Sequence, residues 1–348
     1  MDKGLFPVWT TIVGFFIGAA IGSFLNVVVY RLPRGLSIAE PKHSFCPRCK
    51  HQLGPADLIP IFSWAFQGGK CRHCRAPIAP RYMFVELVTG TLWGALWYQN
   101  LCIGEDPTKF VAYALFSAAL VAAIFTDIAH YIIPDEVNAA MFVIGIGYNG
   151  ALIAQNRPEA WTWGIPSAVA GALTGIGVLW GIAFLGRILF RKDAMGHGDI
   201  KMARGIGAVL FPMMAMTSFG LAVISGAVIG ILALWLRVMM EKRKPKVEEA
   251  PEEEEEDYEP ESIGSLIQCG IGYVLLMDIV GLIWPKVYEW WFKENPYAIE
   301  AVDEEENQVE LTMIPFGPHL AVGALGAMLF WPTLEALILG YLRSVTKG

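Results

Sequence analysis

Ala118-Ala119-Leu120-Val121-Ala122-Ala123-Ile124-Phe125-Thr126-Asp127 closes an apolar run that begins near residue 110 and ends on a carboxylate. Its length approaches the ~20 residues that carry a helix across a bilayer. Comparable runs lie at about 8–30, 83–103, 136–154, 164–190, 216–236, 264–284 and 314–342, with a shorter one at 203–215. Backbone polar groups in lipid must be satisfied within the segment itself, so each run is predicted to be a helix. The expected fold is therefore an all-α, polytopic membrane bundle of about eight transmembrane helices. A chain of 348 residues that is 55% hydrophobic and 17% charged excludes a soluble globule. Much of the acid falls in two blocks after residue 247 while the first half has basic loops, and no nucleic-acid footprint is implied. The run at 8–30 lacks a basic leader and a small-residue cleavage site, so it reads as a retained helix. Gly171, Gly175 and Gly177, like Gly226 and Gly230, are expected where helices approach closely.

Residues 31–81 carry nine Lys or Arg against Glu40 and Asp57, which places that loop in the cytoplasm. Following the runs alternately then puts 127–135 and 191–202 at the same face, so Asp127 and Asp199 are expected to share it although they are 72 positions apart. The chain divides into a first helix at 1–30, a metal-binding loop at 31–82, a membrane core at 83–240, an insert at 241–312 and a final helix at 313–348. Within the insert, Glu252 to Asp257 between Pro251 and Pro260 reads as a solvated acidic linker. The apolar run 264–284 either crosses or lies at the interface, where Tyr288, Trp290 and Trp291 would form an aromatic belt. Asp278 within it has a functional and a packing reading.

Ionisable groups at the ends of apolar runs are costly, and function is the default explanation. Asp127 falls at the C-terminal end of its helix, where the macrodipole disfavours an anion. Asp199, in Gly196-His197-Gly198-Asp199, has glycines on both sides of its neighbour that allow close backbone approach, and helix capping is its competing role. Two such carboxylates brought together could share a proton and activate a water between them. Asp135 follows Pro134 as an N-cap would. Lys201 could hold a substrate acid, steer the local charge balance or snorkel.

Cys46-Pro47-Arg48-Cys49 and Cys71-Arg72-His73-Cys74 are two knuckles with 21 residues between them. Four thiolates complete a tetrahedral Zn²⁺ and leave no open position, so the metal would be structural. A disulfide reading conflicts with the cytoplasmic placement. His51 and His73 could compete as ligands but are better read as surface histidines, and Cys102 and Cys269 as isolated apolar residues.

The chain resembles the type IV prepilin peptidases, bifunctional membrane leader peptidases and N-methyltransferases. The likeness rests on Gly22-Ser23-Phe24-Leu25-Asn26-Val27-Val28 with Arg31 and Pro33, the four cysteines, Arg81-Tyr82 with Val85-Glu86-Leu87, Asp127 with Pro134-Asp135, Gly196-His197-Gly198-Asp199 with Lys201, and Pro315-Phe316-Gly317-Pro318. By that resemblance Asp127 and Asp199 would be the catalytic pair of a Gly-x-Gly-Asp aspartic membrane protease in the bacterial inner membrane. Its partners would be prepilins and pseudopilins, cut at the cytoplasmic face and then methylated with S-adenosylmethionine as donor, serving pili or type II secretion. Membrane lipids surround it, and its oligomeric state and clients are not encoded. The sequence has no soluble nucleotide-binding βαβ unit with a Gly-x-Gly-x-x-Gly turn, so membrane helices and the cysteine loop must make any S-adenosylmethionine site. Asn26, Arg31 and Glu86 are its candidates by motif, with helix packing and surface anchoring as their other roles. Two features depart from the family: Ala129 stands where many relatives have Asp, and about 75 residues precede the Pro-Phe-Gly-Pro turn where a short loop is usual. An interfacial or re-entrant insert would keep the last helix in the family's direction. Two other readings remain open, a proton- or cation-coupled transporter using its intramembrane carboxylates and a noncatalytic zinc-loop scaffold.

Overall fold

The computed structural model describes residues 4–193, 195–241, 261–293 and 315–346. The acidic stretches at 252–257 and 294–310 lie outside the described residues, as does the basic stretch at 242–246. Helices α1 (Thr11–Arg31), α3 (Arg81–Trp97, continued as a π-helix over Tyr98–Ile103), α4 (Pro107–His130), α5 (Asp135–Ala154), α6 (Ser167–Phe190), α7 (His197–Glu241) and α11 (Gly317–Thr346) build the bundle. A short α2 (Phe62–Phe66) lies in the loop after α1, and a two-residue hairpin joins Trp161–Thr162 to Ile165–Pro166 before α6. Among the described residues, six helices are long and apolar enough to cross a membrane, α7 counted as one of them. Leu189, Phe190, Ile231 and Trp235 are exposed, as side chains facing lipid should be.

Small residues set the helix contacts. Gly14, Gly18 and Gly22 of α1 recur every four residues and lie against Trp97, Trp93 and Glu86 of α3, where a Cβ would come within 2.7, 2.5 and 2.7 Å of them. On the other side of the bundle Gly171 and Gly175 of α6 press on the backbone of Gly207 and Ala203 in α7. Gly177 and Gly230 face open space, so the close-contact expectation fails at those two positions.

The expected short run at 203–215 and the separate span after it correspond to the two arms of α7, and the break between them falls earlier, at Phe211. Phe211 has φ 62° and ψ 170°, and Pro212 follows it. Proline cannot continue the hydrogen-bond ladder and disfavours helical backbone in the residue before it. Contacts on the two sides of Phe211 run in opposite directions. Before it, Gly198 lies by Ile133, Gly205 by Met141 and Gly207 by Gly171. After it, Met214 meets Tyr113, Ser218 lies by Gly323, and Ser225 and Gly226 lie by His319. The two arms of α7 are therefore antiparallel, and the first, with every residue from Ile200 to Leu210 buried, is the centre of the bundle.

The insert supplies α8 (Ile263–Val274), α9 (Met277–Ile283) and α10 (Pro285–Phe292), and α8 and α9 meet at 71°. Its described part begins with Glu261 beside His197, and α11 begins with Gly317 against Asp127. The insert thus departs from and returns to one end of the bundle. Its deepest point is fixed by Arg204, which donates to the Tyr273 carbonyl at 3.1 Å and to both Asp278 oxygens at 2.8 and 2.6 Å. Both charges are buried, so each satisfies the other. Trp284 and Trp290 are exposed, whereas Tyr288 is buried and the Trp291 indole donates to the Gln268 carbonyl. The aromatic belt expected of this segment is therefore divided between an outer and a packed face.

Candidate active site and cysteine loop

Asp127 occupies the last turn of α4, and Asp199 the first turn of α7. Both lie at the end of the bundle that carries the cysteine loop, as the contact between Arg34 and His130 shows, 3.5 Å apart. Asp199 is the third residue of its helix rather than its N-cap, and its carboxylate accepts from the Gly196 backbone N–H. This is the back-bond of a capping box, and it fixes the side chain at a helix end whose dipole favours negative charge. A Cβ at Gly196 would stand 3.3 Å from the Asp199 Oδ2, and one at Gly198 3.4 Å from Ile133.

Asp127 is buried, and its carboxylate accepts from the Gly317 backbone N–H. A Cβ on Gly317 would collide with Asp127 Oδ2 and Ile133. Gly317, Ile133 and Gly198 form one wall between the two aspartates, which are close enough for the charge of one to act on the other. Reading carboxylates alone overlooks Gly317. Its signal was the Pro315-Phe316-Gly317-Pro318 turn, which offers a backbone donor where no side chain fits.

Asp135 is not an N-cap, since that position belongs to Pro134. It binds Lys201 instead, with both carboxylate oxygens 2.8 Å from Nζ. The rings of Tyr273, Tyr288 and Phe292 cover the same ammonium at 5.5, 5.6 and 6.0 Å. Lys201 is buried and neither snorkels nor projects toward an open site.

In the loop after α1, Phe45 bridges Gln52 and Lys70 bridges Pro77. The two knuckles repeat one geometry. Lys50 donates to the Cys46 carbonyl and Arg75 to that of Cys71, and these residues, each following the second cysteine of its pair, have φ of 56° and 58°. The Sγ atoms of Cys46, Cys49, Cys71 and Cys74 lie within 4.8 Å of one another. His51 and His73 stack on each other with ring centroids 3.5 Å apart and are not part of that set. The backbone N–H groups of Cys74 and His73 bring the Cys71 thiol down to about 7. At Cys49 the His51 N–H pulls down, but burial and the neighbouring thiols of Cys46 and Cys74 push it up to about 11. Thiols crowded this closely resist ionising together, which a divalent cation relieves; the donor set and spacing fit Zn²⁺.

Two of the three motif residues, Arg31 and Glu86, hold this loop to the helices, and Asn26 joins α1 to α3. Buried Arg31 donates to the carbonyls of Ser37, Ile38, Pro41 and His43. Glu86 accepts from Ile61 N–H at 2.6 Å, and Asn26 donates to the Tyr82 carbonyl at 3.0 Å. Between loop and helices lies a cavity of about 660 Å³, with Asn26, Arg31, Trp64, Arg81, Tyr82 and Glu86 in its lining.

Comparison with known proteins places this geometry in a family. Residues 16–100 match the bacterial peptidase A24 N-terminal domain, and residues 114–231 match the type IV leader peptidase family. A prepilin leader peptidase/N-methyltransferase of Myxococcus xanthus (strain DK1622) is 31% identical over 330 residues, 93% of this chain and 91% of that protein. The chain belongs to the prepilin leader peptidase/N-methyltransferase family. Family proteins of the same name from Aeromonas hydrophila and Pseudomonas aeruginosa are 32% and 30% identical over 64% of this chain, covering 81% and 80% of their own lengths. No solved structure matches. Both family models fall on the helices described above, the first across the cysteine loop and the second across the segments that carry Asp127 and Asp199.

Proposed function

We propose that this membrane enzyme cleaves the leader of prepilins with Asp127 and Asp199 and N-methylates the new N-terminus beside the cysteine loop. Its standing as a peptidase and methyltransferase follows from family membership and full-length similarity to a protein of that name. The observation that carries the residue assignment is the placement of both carboxylates at one end of the bundle, near enough for the charge of Asp127 to act on Asp199. With one proton between them, the ionised carboxylate takes a proton from water as its oxygen attacks the scissile carbonyl carbon. The protonated one donates to the carbonyl oxygen, and collapse of the tetrahedral adduct passes a proton to the departing amine. No covalent enzyme intermediate is required.

The transporter reading is not favoured. Asp127 and Asp199 lie at one end of the bundle, close enough for one charge to act on the other, instead of lining a path through it, and a scaffold would have no use for that placement.

S-adenosylmethionine supplies the methyl group when bound. The cavity beneath the cysteine loop is its proposed site, because about 660 Å³ lies in the range of small-molecule sites. Trp64 and Tyr82 offer stacking faces there and Glu86 a carboxylate, while Arg31 and Asn26 keep the walls in register. Zn²⁺ held by Cys46, Cys49, Cys71 and Cys74 would fix the fold of the loop. The dyad, the loop and their excess of Lys and Arg share one end of the bundle, and the positive-inside rule assigns that end to the cytoplasm. The enzyme then sits in the bacterial inner membrane, with pseudopilins of type II secretion as further substrates. The insert, entering and leaving at that end, is a re-entrant segment.

The decisive experiment measures cleavage of a prepilin-like peptide by purified protein in detergent. Asp127→Asn and Asp199→Asn keep shape and remove charge, and each is expected to abolish cleavage while the fold and bound zinc persist. Normal cutting by either variant refutes the dyad.

A further inference from the structure

The insert meets the first turn of α7, which carries Asp199, through a group of side chains that the peptidase and methyltransferase reading leaves unused. His197, Glu261 and Cys269 bring an imidazole nitrogen, a carboxylate oxygen and a sulfur within 4.8 Å of one another. His197 Nε2 lies 3.0 Å from Glu261 Oε2, and Cys269 Sγ lies 3.8 Å from Glu261 Oε1. His197 comes from the first turn of α7, and the other two from either side of the α8 N-terminus, 64 and 72 positions later. Cys269 is thus not the isolated apolar residue that the sequence suggested.

We infer that these three side chains form a second metal site, of the zinc class, that clamps the insert onto the first turn of α7. Three observations support it. The donors are those that tetrahedral Zn²⁺ uses, and bonds of about 2.0–2.3 Å at tetrahedral angles need donor atoms roughly 3.2–3.8 Å apart, close to what the fold supplies. The second ring nitrogen of His197 is already engaged, 2.7 Å from the Tyr273 hydroxyl, so that Nε2 is turned toward the other donors in the manner of a metal-bound histidine. Tyr273 is itself locked, because its carbonyl accepts from buried Arg204. The site also has an entry path, with the side chains of His197 and Glu261 41% and 22% exposed. An ion pair between His197 and Glu261 has no need of a sulfur or of a fixed ring, whereas a zinc-class site uses both.

Binding expels the thiol proton of Cys269 and any proton that His197 shares with Glu261, leaving thiolate, carboxylate and neutral imidazole on the cation. Three protein ligands leave a fourth position for water. Asp199 is two residues from His197, so occupancy fixes the turn that presents the catalytic carboxylate. Metal supply then tunes the dyad through the insert.

The test counts metal in the full-length protein in detergent. Wild type saturated with zinc and desalted is expected to hold about two ions per chain, and Cys269→Ala and Glu261→Gln about one each. That difference of one ion is independent of what the cysteine loop holds and of whether any peptide is cut. Wild type loaded with cobalt in place of zinc is expected to hold about one cobalt ion more per chain than Cys269→Ala loaded in the same way. Either of two results overturns the inference: equal zinc content in wild type and both variants, or equal cobalt content in wild type and Cys269→Ala.

Discussion

The dyad and the cysteine loop share one end of the bundle, but they are held there by different forces. Asp127 and Asp199 stand on long helices whose positions are set by close packing, and the neighbouring backbone N–H groups of Gly317 and Gly196 aim the carboxylates. The loop from Gly35 to Pro80 has one five-residue α-helix and two isolated bridges. Its order comes from the Arg31 guanidinium, the Glu86 carboxylate and four thiols that suit a cation. A site made by helix packing should tolerate loss of the cysteine-loop metal and fail when its own side chains change. One made by a metal-tied loop should do the reverse.

Substitutions can break this division of labour, and the largest effect is expected at the dyad. Asp127→Asn should lower cleavage by about 10³-fold or more, the upper range for a lost general acid or base, while methyl transfer to a pre-cut pilin N-terminus stays near wild type. Equal loss of both activities, measured side by side, would show one site where two are drawn here. Asp278→Asn should come next, costing roughly 3–5 kcal/mol because buried Arg204 loses its counter-charge. Thermal unfolding in detergent reads this, and Arg204→Met combined with Asp278→Leu should recover most of the loss. Gly317→Ala forces a methyl group against Asp127 and should reduce cleavage by roughly 10–100-fold, a displacement effect on oriented groups; wild-type kinetics would remove Gly317 from the site. Chelation at the cysteine loop should reduce methyl transfer more than cleavage. Metal retention should also weaken as pH is lowered, since protons compete for the thiolates; zinc content against pH checks the sign.

Much of the fold was legible because lipid imposes a local rule. Each apolar run has to satisfy its own backbone, so α1, α4, α5, α6 and α11 lie where the runs lie. The reversal at Phe211 was written in Pro212, but a short run before a proline reads equally well as a kinked single span. What separates the two is contact with Tyr113, His319 and Gly323, which no local pattern encodes. The same limit explains Asp135, whose position after Pro134 suggested a cap while its partner Lys201 stands 66 residues away. Cys269 was missed for the same reason, since its neighbours come from another part of the chain. The cysteine pairs needed no such help, because their spacing is local. Asp127 and Asp199 were reached in an intermediate way: the charge rule put them on one face, but only packing could supply Gly317.

Arg204 and Asp278 are 74 residues apart in the chain, and that separation has a consequence during synthesis. At about 5–20 residues per second, the guanidinium is made roughly 4–15 s before its counter-charge exists. Until then the central arm of α7 carries an unpartnered cation that the membrane interior resists. The arm must therefore wait, hydrated or sheltered by the insertion machinery, and the last helices of the bundle can settle only after the insert has been translated.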